Sequence, residues 1–183
     1  FMEMAVDVAG FAYDPGDAVM IVMPLFHVAG TNNAFAGLAQ GGRLVLVKDF
    51  VPAQAIATMQ AEAIAHAFLA PALIGMMLND PAIAGATFPA LRTIAYGASP
   101  IAEATLVRAR QVFGCDFVQF YGMTESAGSG STLSPAHHDE PHLLVSCGKP
   151  WPGVEMAIFD ADGAMLPDDA IGEIAIRGDI VMK

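Results

Sequence analysis

The stretch DFVQFYGMTES, residues 116–126, joins an apolar run to a short turn that carries a hydroxyl and a carboxylate. Residues 116–120 have the length and the apolar character of a buried strand. A Tyr-Gly pair then ends the run, and Thr124 and Glu125 follow side by side. The stretch therefore predicts a strand whose carboxyl end presents polar groups, and that is the edge where open parallel sheets bind ligands.

The same strand-like pattern recurs upstream, with helix-like segments between the runs. Strand-like runs cover residues 18–23, 43–47, 65–70, 92–96 and 116–120. Helices are predicted to begin after a cap at Thr31 or Asn32, at Pro52, at Pro71, and at Pro100 with Ser99 as its cap. Short apolar strands that alternate with helices predict an α/β fold, a doubly wound, mainly parallel sheet with helices on both faces.

The character of the chain changes after about Gly130. A polar loop follows, and residues 154–160 and 172–178 then have the pattern of two short antiparallel strands. We therefore predict a first unit over residues 1–130. A linker loop and the start of a small antiparallel β subdomain follow over residues 131–183, with the boundary between roughly Ser131 and Val145.

Composition and charge exclude several classes of function. The 183 residues are 55% hydrophobic, yet no run reaches the roughly 18 apolar residues that a membrane-spanning helix needs. Nineteen acidic and eight basic residues give a net charge of −11, which argues against binding to nucleic acid or to an anionic membrane surface. Cys115 and Cys147 lack metal-ligand spacing, so we expect two small buried side chains in a reducing cytoplasm.

Three segments at predicted strand ends should lie on one edge of the sheet. They are PLFHVAG (residues 24–30), YGASP (residues 96–100) and YGMTES (residues 121–126). In YGASP, Gly97 and Ala98 leave the backbone bare, so a flat ring could lie against it; a plain tight turn is the alternative. In PLFHVAG, His27 is either a core histidine or a wall of a carboxylate pocket.

The third segment is the most specific. Tyr121 can stack on a base, Gly122 permits close approach of a ligand, Thr124 can donate to a phosphate oxygen and Glu125 can bind Mg²⁺. The same pattern also fits a purely structural role, in which Thr124 caps a short helix and Glu125 complements its dipole. Both interpretations stay open from this segment alone.

Taken together, the motifs resemble those of the adenylate-forming superfamily, which contains acyl-CoA synthetases, luciferases and peptide-synthetase adenylation domains. PLFHVAG, YGASP, YGMTES, CGKPWPGVE and GEIAIRG follow the order and spacing of that family, and PLFHVAG looks most like the fatty-acyl-CoA ligases. The resemblance covers essentially the whole chain. It implies that residues 1–130 form a nucleotide- and acyl-binding unit.

The resemblance also implies roles for individual residues. The adenine of ATP or AMP would lie between the backbone of Gly97, Ala98 and Ser99 and the ring of Tyr121. Thr124 would bind the α-phosphate and Glu125 would bind Mg²⁺. In the same way, His27 would line the acid pocket near the carboxylate and Gly122 would border the acyl site.

The implied activity is that of an ATP-dependent carboxylic acid–CoA ligase, which forms an acyl-adenylate and then an acyl-CoA thioester. An adenylation module that loads a carrier protein and a non-catalytic nucleotide-binding piece are the alternatives. The region FHVAGTNN offers neither an acid for an amine nor an Arg for a second carboxylate, so an apolar acyl chain is favoured.

The chain also departs from the family pattern at both ends. It opens on a helix-like spacing of Phe1, Met4, Val8 and Phe11, where the family has a phosphate loop upstream. The ribose-binding Asp and the Lys-bearing small domain are expected after GEIAIRG. We therefore expect a central segment of the large domain, inactive by itself.

Overall fold

The computed structural model describes residues 13–183, and a seven-stranded sheet is its central feature. The helices and strands, in chain order, are β1 (Ala18–Ile21), α1 (Val28–Ala39), β2 (Arg43–Leu46), α2 (Pro52–Ala61), β3 (Ile64–Leu69), α3 (Pro71–Asn79), β4 (Thr93–Gly97), α4 (Glu103–Phe113), β5 (Asp116–Tyr121), β6 (Ser131–Leu133), β7 (Lys149–Pro150), β8 (Glu155–Phe159) and β9 (Glu173–Arg177). The helix-like pattern at residues 1–11 lies outside the described residues.

The strand order is β2-β1-β3-β4-β5-β6-β7. Strands β1 to β5 pair in parallel, and β6 and β7 extend the sheet with antiparallel pairings. All five predicted strands are present. Every residue of β1, β3 and β4 is buried, which explains why these strands read as continuous apolar runs rather than as alternating ones.

Helices cover both faces of the sheet. Helices α2, α3 and α4 pack on one face, where Met59, Ile74 and Leu106 join the buried residues of β1, β3, β4 and β5 in the main core. On the opposite face, Ala34 of α1 packs with Val19 and with Ile21 in a smaller cluster. The predicted fold class, a doubly wound and mainly parallel sheet with helices on both faces, is therefore confirmed.

Two predicted helix starts are wrong. Helix α1 begins at Val28 rather than after a cap at Thr31 or Asn32, because the His27 side chain caps it and accepts a hydrogen bond from the backbone N–H of Ala29. Helix α4 begins at Glu103 with Ala102 at its cap position, so neither a Ser99 cap nor a first turn at Pro100 forms.

The segment between residues 131 and 150 contributes two strands to the main sheet, although its polar sequence predicts a loop. Ser131–Leu133 forms β6, and Lys149–Pro150 forms β7. The predicted second sheet, β8 paired antiparallel with β9, begins only at Glu155. A domain boundary between roughly Ser131 and Val145 stays a prediction.

The two cysteines differ in part from expectation. Both are free thiols, as expected, but each is half-buried rather than buried. Cys115 packs against the main core, and burial raises the pKa of its thiol to about 12. Within residues 13–183, no helix combines the length and hydrophobicity needed to cross a bilayer.

Candidate active site

A cavity of about 320 Å³ opens at the carboxyl ends of β4 and β5. The turn after β4 and the end of β5 form one side of it, and an irregular segment that precedes β7 forms the other side. Its lining residues are Ala98, Ser99, Pro100, Ile101, Gln119, Phe120, Tyr121, Gly122, Leu144, Val145 and Cys147. Two of the three predicted strand-end segments therefore meet in one cavity.

The turn after β4 places bare backbone against the cavity. A Cβ at Gly97 would lie 2.4 Å from the Phe120 carbonyl oxygen, so only glycine lets β4 and β5 stay paired there. Ala98 then takes a φ of 68°, in the left-handed region, and directs the chain away from the strand axis. Ser99 and Pro100 follow as exposed cavity residues instead of starting the helix.

The end of β5 supplies the aromatic ring of the site. Tyr121 is half-buried and lines the cavity beside Gly122. A Cβ at Gly122 would lie 2.5 Å from the carbonyl carbon and oxygen of Gly128. The glycine is thus required by the returning backbone, which is a different reason from the ligand approach that the sequence suggested.

Thr124 and Glu125 lie in a single turn of 3-10 helix that spans Thr124–Ser126. Both side chains are exposed, whereas Ser126 is buried with its Oγ 3.2 Å from the Met123 nitrogen. Met123, rather than Thr124, occupies the cap position, so Thr124 does not cap this turn. So short a turn aligns few peptide dipoles, which weakens a dipole role for Glu125.

His27 caps the start of α1, the helix that packs beside this turn. The Asn32 side chain donates a 2.8 Å hydrogen bond to the Ala127 carbonyl, which holds the start of α1 against the segment after Glu125. Because Nδ1 of His27 accepts the bond from Ala29, a neutral ring carries its proton on Nε2. His27 is exposed, so it is not a core histidine, and that Nε2–H remains available as a donor.

The predicted site residues therefore lie in three different places. Ala98, Ser99, Tyr121 and Gly122 line the cavity, and Gly97 lies directly behind them. His27, Thr124 and Glu125 lie outside its lining, on the adjoining turn and helix.

Sequence reasoning missed the opposite wall of the cavity, formed by Leu144, Val145 and Cys147, and it gave Gln119 no role. The signal for Gln119 is an amide within the apolar run FVQF, and the signal for Leu144 and Val145 is an apolar pair within a polar loop.

The described cavity lining carries no positive charge, so a ligand there would be held by neutral groups. None of the described residues that line the cavity is a lysine or an arginine. Within residues 13–183 there is also no cluster of three or more His, Cys, Asp or Glu side chains that could hold a metal ion by itself. A Mg²⁺ ion that arrives with a nucleotide needs only one or two carboxylates from the protein, and the exposed Glu125 fits that requirement.

Comparison with known protein families shows to which family the chain belongs. Residues 1–183, the whole sequence, match the AMP-binding enzyme family. The chain belongs to that family. Its relatives include a fatty acid–[acyl-carrier-protein] ligase, ScoC, of Streptomyces coeruleorubidus, which is 35% identical over 88% of this chain and 31% of its own length. Another is the medium/long-chain-fatty-acid–CoA ligase FadD8 of Mycobacterium tuberculosis, 27% identical over 97% of this chain and 31% of its own length.

A solved structure agrees with the same membership. The amide bond synthetase McbA of Marinactinospora thermotolerans superposes with a TM-score of 0.87 at 31% identity, over 99% of this chain and 36% of that protein. The chain thus spans about a third of the length of the relatives that it matches.

Proposed function

We propose that the AMP-binding chain is the nucleotide-binding segment of an ATP-dependent carboxylic acid–CoA ligase. One observation carries the proposal: the bare backbone after β4 and the ring of Tyr121 line one cavity, beside a turn that exposes Thr124 and Glu125. This arrangement offers a slot for a base and, next to it, a hydroxyl and a carboxylate for the phosphates. The adenine would occupy the slot between Gly97–Ser99 and Tyr121.

The proposed reaction has two steps. A carboxylate oxygen of the acid attacks the α-phosphorus of ATP, the bond to the β-phosphate oxygen breaks, and pyrophosphate leaves. The sulfur of coenzyme A then attacks the acyl carbon and loses its proton, the bond to the phosphate oxygen breaks, and AMP leaves. The chain's own contribution is to position the reactants and to stabilise charge.

Each exposed polar group has a place in this scheme. The Thr124 hydroxyl would donate to the α-phosphate, and the Nε2–H of His27 would orient the incoming carboxylate at the end of α1. Glu125 would hold Mg²⁺, and a bound Mg²⁺ supplies charge neutralisation at the phosphates. We place the reaction in the cytoplasm, which supplies ATP, Mg²⁺ and coenzyme A.

The acid is proposed to be a small carboxylic acid with an apolar acyl chain. Gly122 and the region behind it would border that chain. The region FHVAGTNN, residues 26–33, contains no Arg that could bind a second carboxylate on the substrate.

A carrier-protein thiol is the second candidate acceptor. ScoC, the relative at 35% identity, is named as a ligase for an acyl carrier protein, and this specific likeness favours testing that acceptor. The adenylate-forming half-reaction is the same for both acceptors.

The test uses the complete protein that contains this chain. Pyrophosphate release is measured with ATP, Mg²⁺ and a panel of fatty, aryl and dicarboxylic acids, and the adenylate is then offered to coenzyme A or to a holo carrier protein. We expect release that depends on a monocarboxylic acid, followed by thioester formation with coenzyme A. Thioester formed only on the carrier protein would establish the second candidate, and no acid-dependent release with any acid would disprove both.

A further inference from the structure

The start of α1 lies directly against the segment that follows Glu125. Val28 and Asn32 are four positions apart, so they lie on one face of this helix. A Cβ at Gly128 would lie 2.8 Å from Cγ2 of Val28 and 3.0 Å from Nδ2 of Asn32, so glycine lets the backbone after the turn reach that face. On the same face, Nδ2 of Asn32 donates a 2.8 Å hydrogen bond to the Ala127 carbonyl oxygen.

Ala127 is the residue that ends the turn Thr124–Ser126. Its φ is 52°, in the left-handed region that residues other than glycine rarely adopt, and its backbone N–H donates a 3.0 Å hydrogen bond to the Thr124 carbonyl. Such a conformation costs free energy and persists where the surrounding contacts fix it. The Asn32 amide is one of those contacts, so it holds the end of the turn against α1.

The same turn is also held from a second direction. The backbone N–H of Met182 donates a 2.8 Å hydrogen bond to the Glu125 carbonyl. Two carbonyls of one short segment, those of Glu125 and Ala127, therefore accept hydrogen bonds from groups that are distant in sequence. Both bonds hold the main chain, and the side chains of Thr124 and Glu125 stay exposed toward a ligand.

Fold stability gives only a small reason for the Asn32 amide. Ala127 is exposed and Asn32 is half-buried, so water could satisfy both groups if the bond were absent. A neutral hydrogen bond contributes about 1 kcal/mol to stability. What this bond does fix is the separation between the start of α1, where His27 presents its Nε2–H, and the turn that carries Glu125.

We propose that Asn32 is a positioning residue for adenylate formation, because it holds the turn Thr124–Ser126 at the distance from His27 at which the acid can attack the α-phosphorus. This inference rests on the proposed function, in which His27 orients the acid and the turn binds the phosphates and Mg²⁺. Attack requires the reacting atoms to lie about 3–3.5 Å apart and in line. A shift of the turn therefore lowers the rate even though every reacting group is still present.

The experiment compares Asn32→Leu with Asn33→Leu in the complete protein. Asn33 is the matched control, because it is the next residue of α1, is also half-buried, and donates a 3.3 Å hydrogen bond to the Met20 carbonyl of β1 rather than to the turn. Acid-dependent pyrophosphate release is measured while ATP and free Mg²⁺ are varied. We expect Asn32→Leu to lower kcat about tenfold, the scale of one neutral hydrogen bond, and to raise the Mg²⁺ concentration that gives half the maximal rate. Asn33→Leu should change neither.

A merely structural role for Asn32 predicts a different result. A partly unfolded variant loses kcat in proportion to its inactive fraction, whereas the Mg²⁺ concentration at half the maximal rate keeps its wild-type value. Asn32→Asp keeps the shape of the side chain but presents an acceptor to the Ala127 carbonyl, so it should lose at least as much activity as Asn32→Leu, and Asn33→Asp controls for the added charge. A wild-type rate in either Asn32 variant, an unchanged Mg²⁺ requirement in Asn32→Leu, or an equal loss in the Asn33 variants would overturn the inference.

Ligand-free crystal structures of the wild type, Asn32→Leu and Asn33→Leu separate this inference from the proposed function. We expect the turn Thr124–Ser126 to move away from α1 in Asn32→Leu and to keep its wild-type position in Asn33→Leu. If the wild type shows no acid-dependent pyrophosphate release, the proposed function fails, and these structures still decide whether Asn32 positions the turn. A turn that stays in place in Asn32→Leu would overturn the positioning role.

Discussion

Gly122→Ala would insert a methyl group between two segments of backbone that already touch. The new Cβ would lie 2.5 Å from the carbonyl carbon and oxygen of Gly128 and 2.7 Å from the nitrogen of Ser129. Non-bonded carbon atoms prefer separations of about 3.5–4.0 Å, so the two segments must move apart by about 1 Å. No flexible side chain can absorb this movement, because the atoms on both sides belong to the main chain.

The expected cost follows from the bonds that hold the turn. Gly128 donates a 2.8 Å hydrogen bond to the Met123 carbonyl, and Asn32 donates a 2.8 Å bond to the Ala127 carbonyl. Overpacking costs about 1–3 kcal/mol, and each weakened hydrogen bond adds about 1 kcal/mol. We expect a loss of about 3–5 kcal/mol, which lowers the Tm by about 6–20 °C for a domain of 150–250 residues.

The assay is thermal unfolding of the complete protein, with AMP affinity measured on the same samples. Gly75→Ala is the matched control: nothing lies within 4 Å of a Cβ at that position in α3, so the same change should raise stability by about 0.5–1 kcal/mol. An unchanged Tm with weakened AMP binding would mean that Gly122 makes room for ligand rather than for Gly128. An unchanged Tm with unchanged binding would refute the steric argument altogether.

Three further predictions concern the proposed chemistry and the far end of the sheet. Glu125→Gln should lower adenylate formation about a hundredfold, roughly 2.7 kcal/mol, with little change in Tm; a fully active variant with a lowered Tm would return Glu125 to a structural role. Tyr121→Ala should raise the KM for ATP about tenfold while Tyr121→Phe stays mild, and equal losses in the two variants would instead indicate that the hydroxyl matters. Burial lowers the pKa of His66 to about 4, although the Asp14 carboxylate acts in the opposite direction and raises it. A neutral His66 therefore contributes stability that is complete above the unfolded pKa of about 6.5 and is lost as the pH falls toward 4, by up to about 3 kcal/mol. Chemical denaturation across that pH range should show the loss, and His66→Gln should reduce its slope; an unchanged slope would refute the assignment.

The strands could be predicted because their burial determines which residue types they contain. A parallel strand between two helical layers is buried on both faces and is therefore rich in apolar residues. Every residue of 64–69 and 93–97 is buried in this way. Pro52 and Pro71 likewise predicted their helices correctly, since proline is tolerated in the first turn, where its missing N–H has no partner to lose.

The helix starts at the site could not be predicted in the same way. Ser99 and Pro100 have the composition of a cap and a first turn, but the positive φ of Ala98 directs them along the cavity instead. His27 caps α1 although histidine is outside the residues usually preferred there. In both cases local composition alone does not indicate where the helix begins.

Residues distant in sequence were the hardest part of the site to predict. Leu144 and Cys147 lie more than twenty positions beyond Gln119 and reach the cavity only because β6 and β7 return to the edge of the sheet. His138 gives no local signal of its contact with Tyr96, since the two residues are 42 positions apart.

The two sides of the cavity also differ in how freely they can vary. The side formed by β4 and β5 is bound by strand register. Val145, in contrast, is 80% exposed, and Cys147 is half-buried in a segment without regular structure. Substitutions at these two positions can reshape the cavity while the sheet stays intact. Natural drift or directed evolution could therefore change the ligand here without disturbing folding.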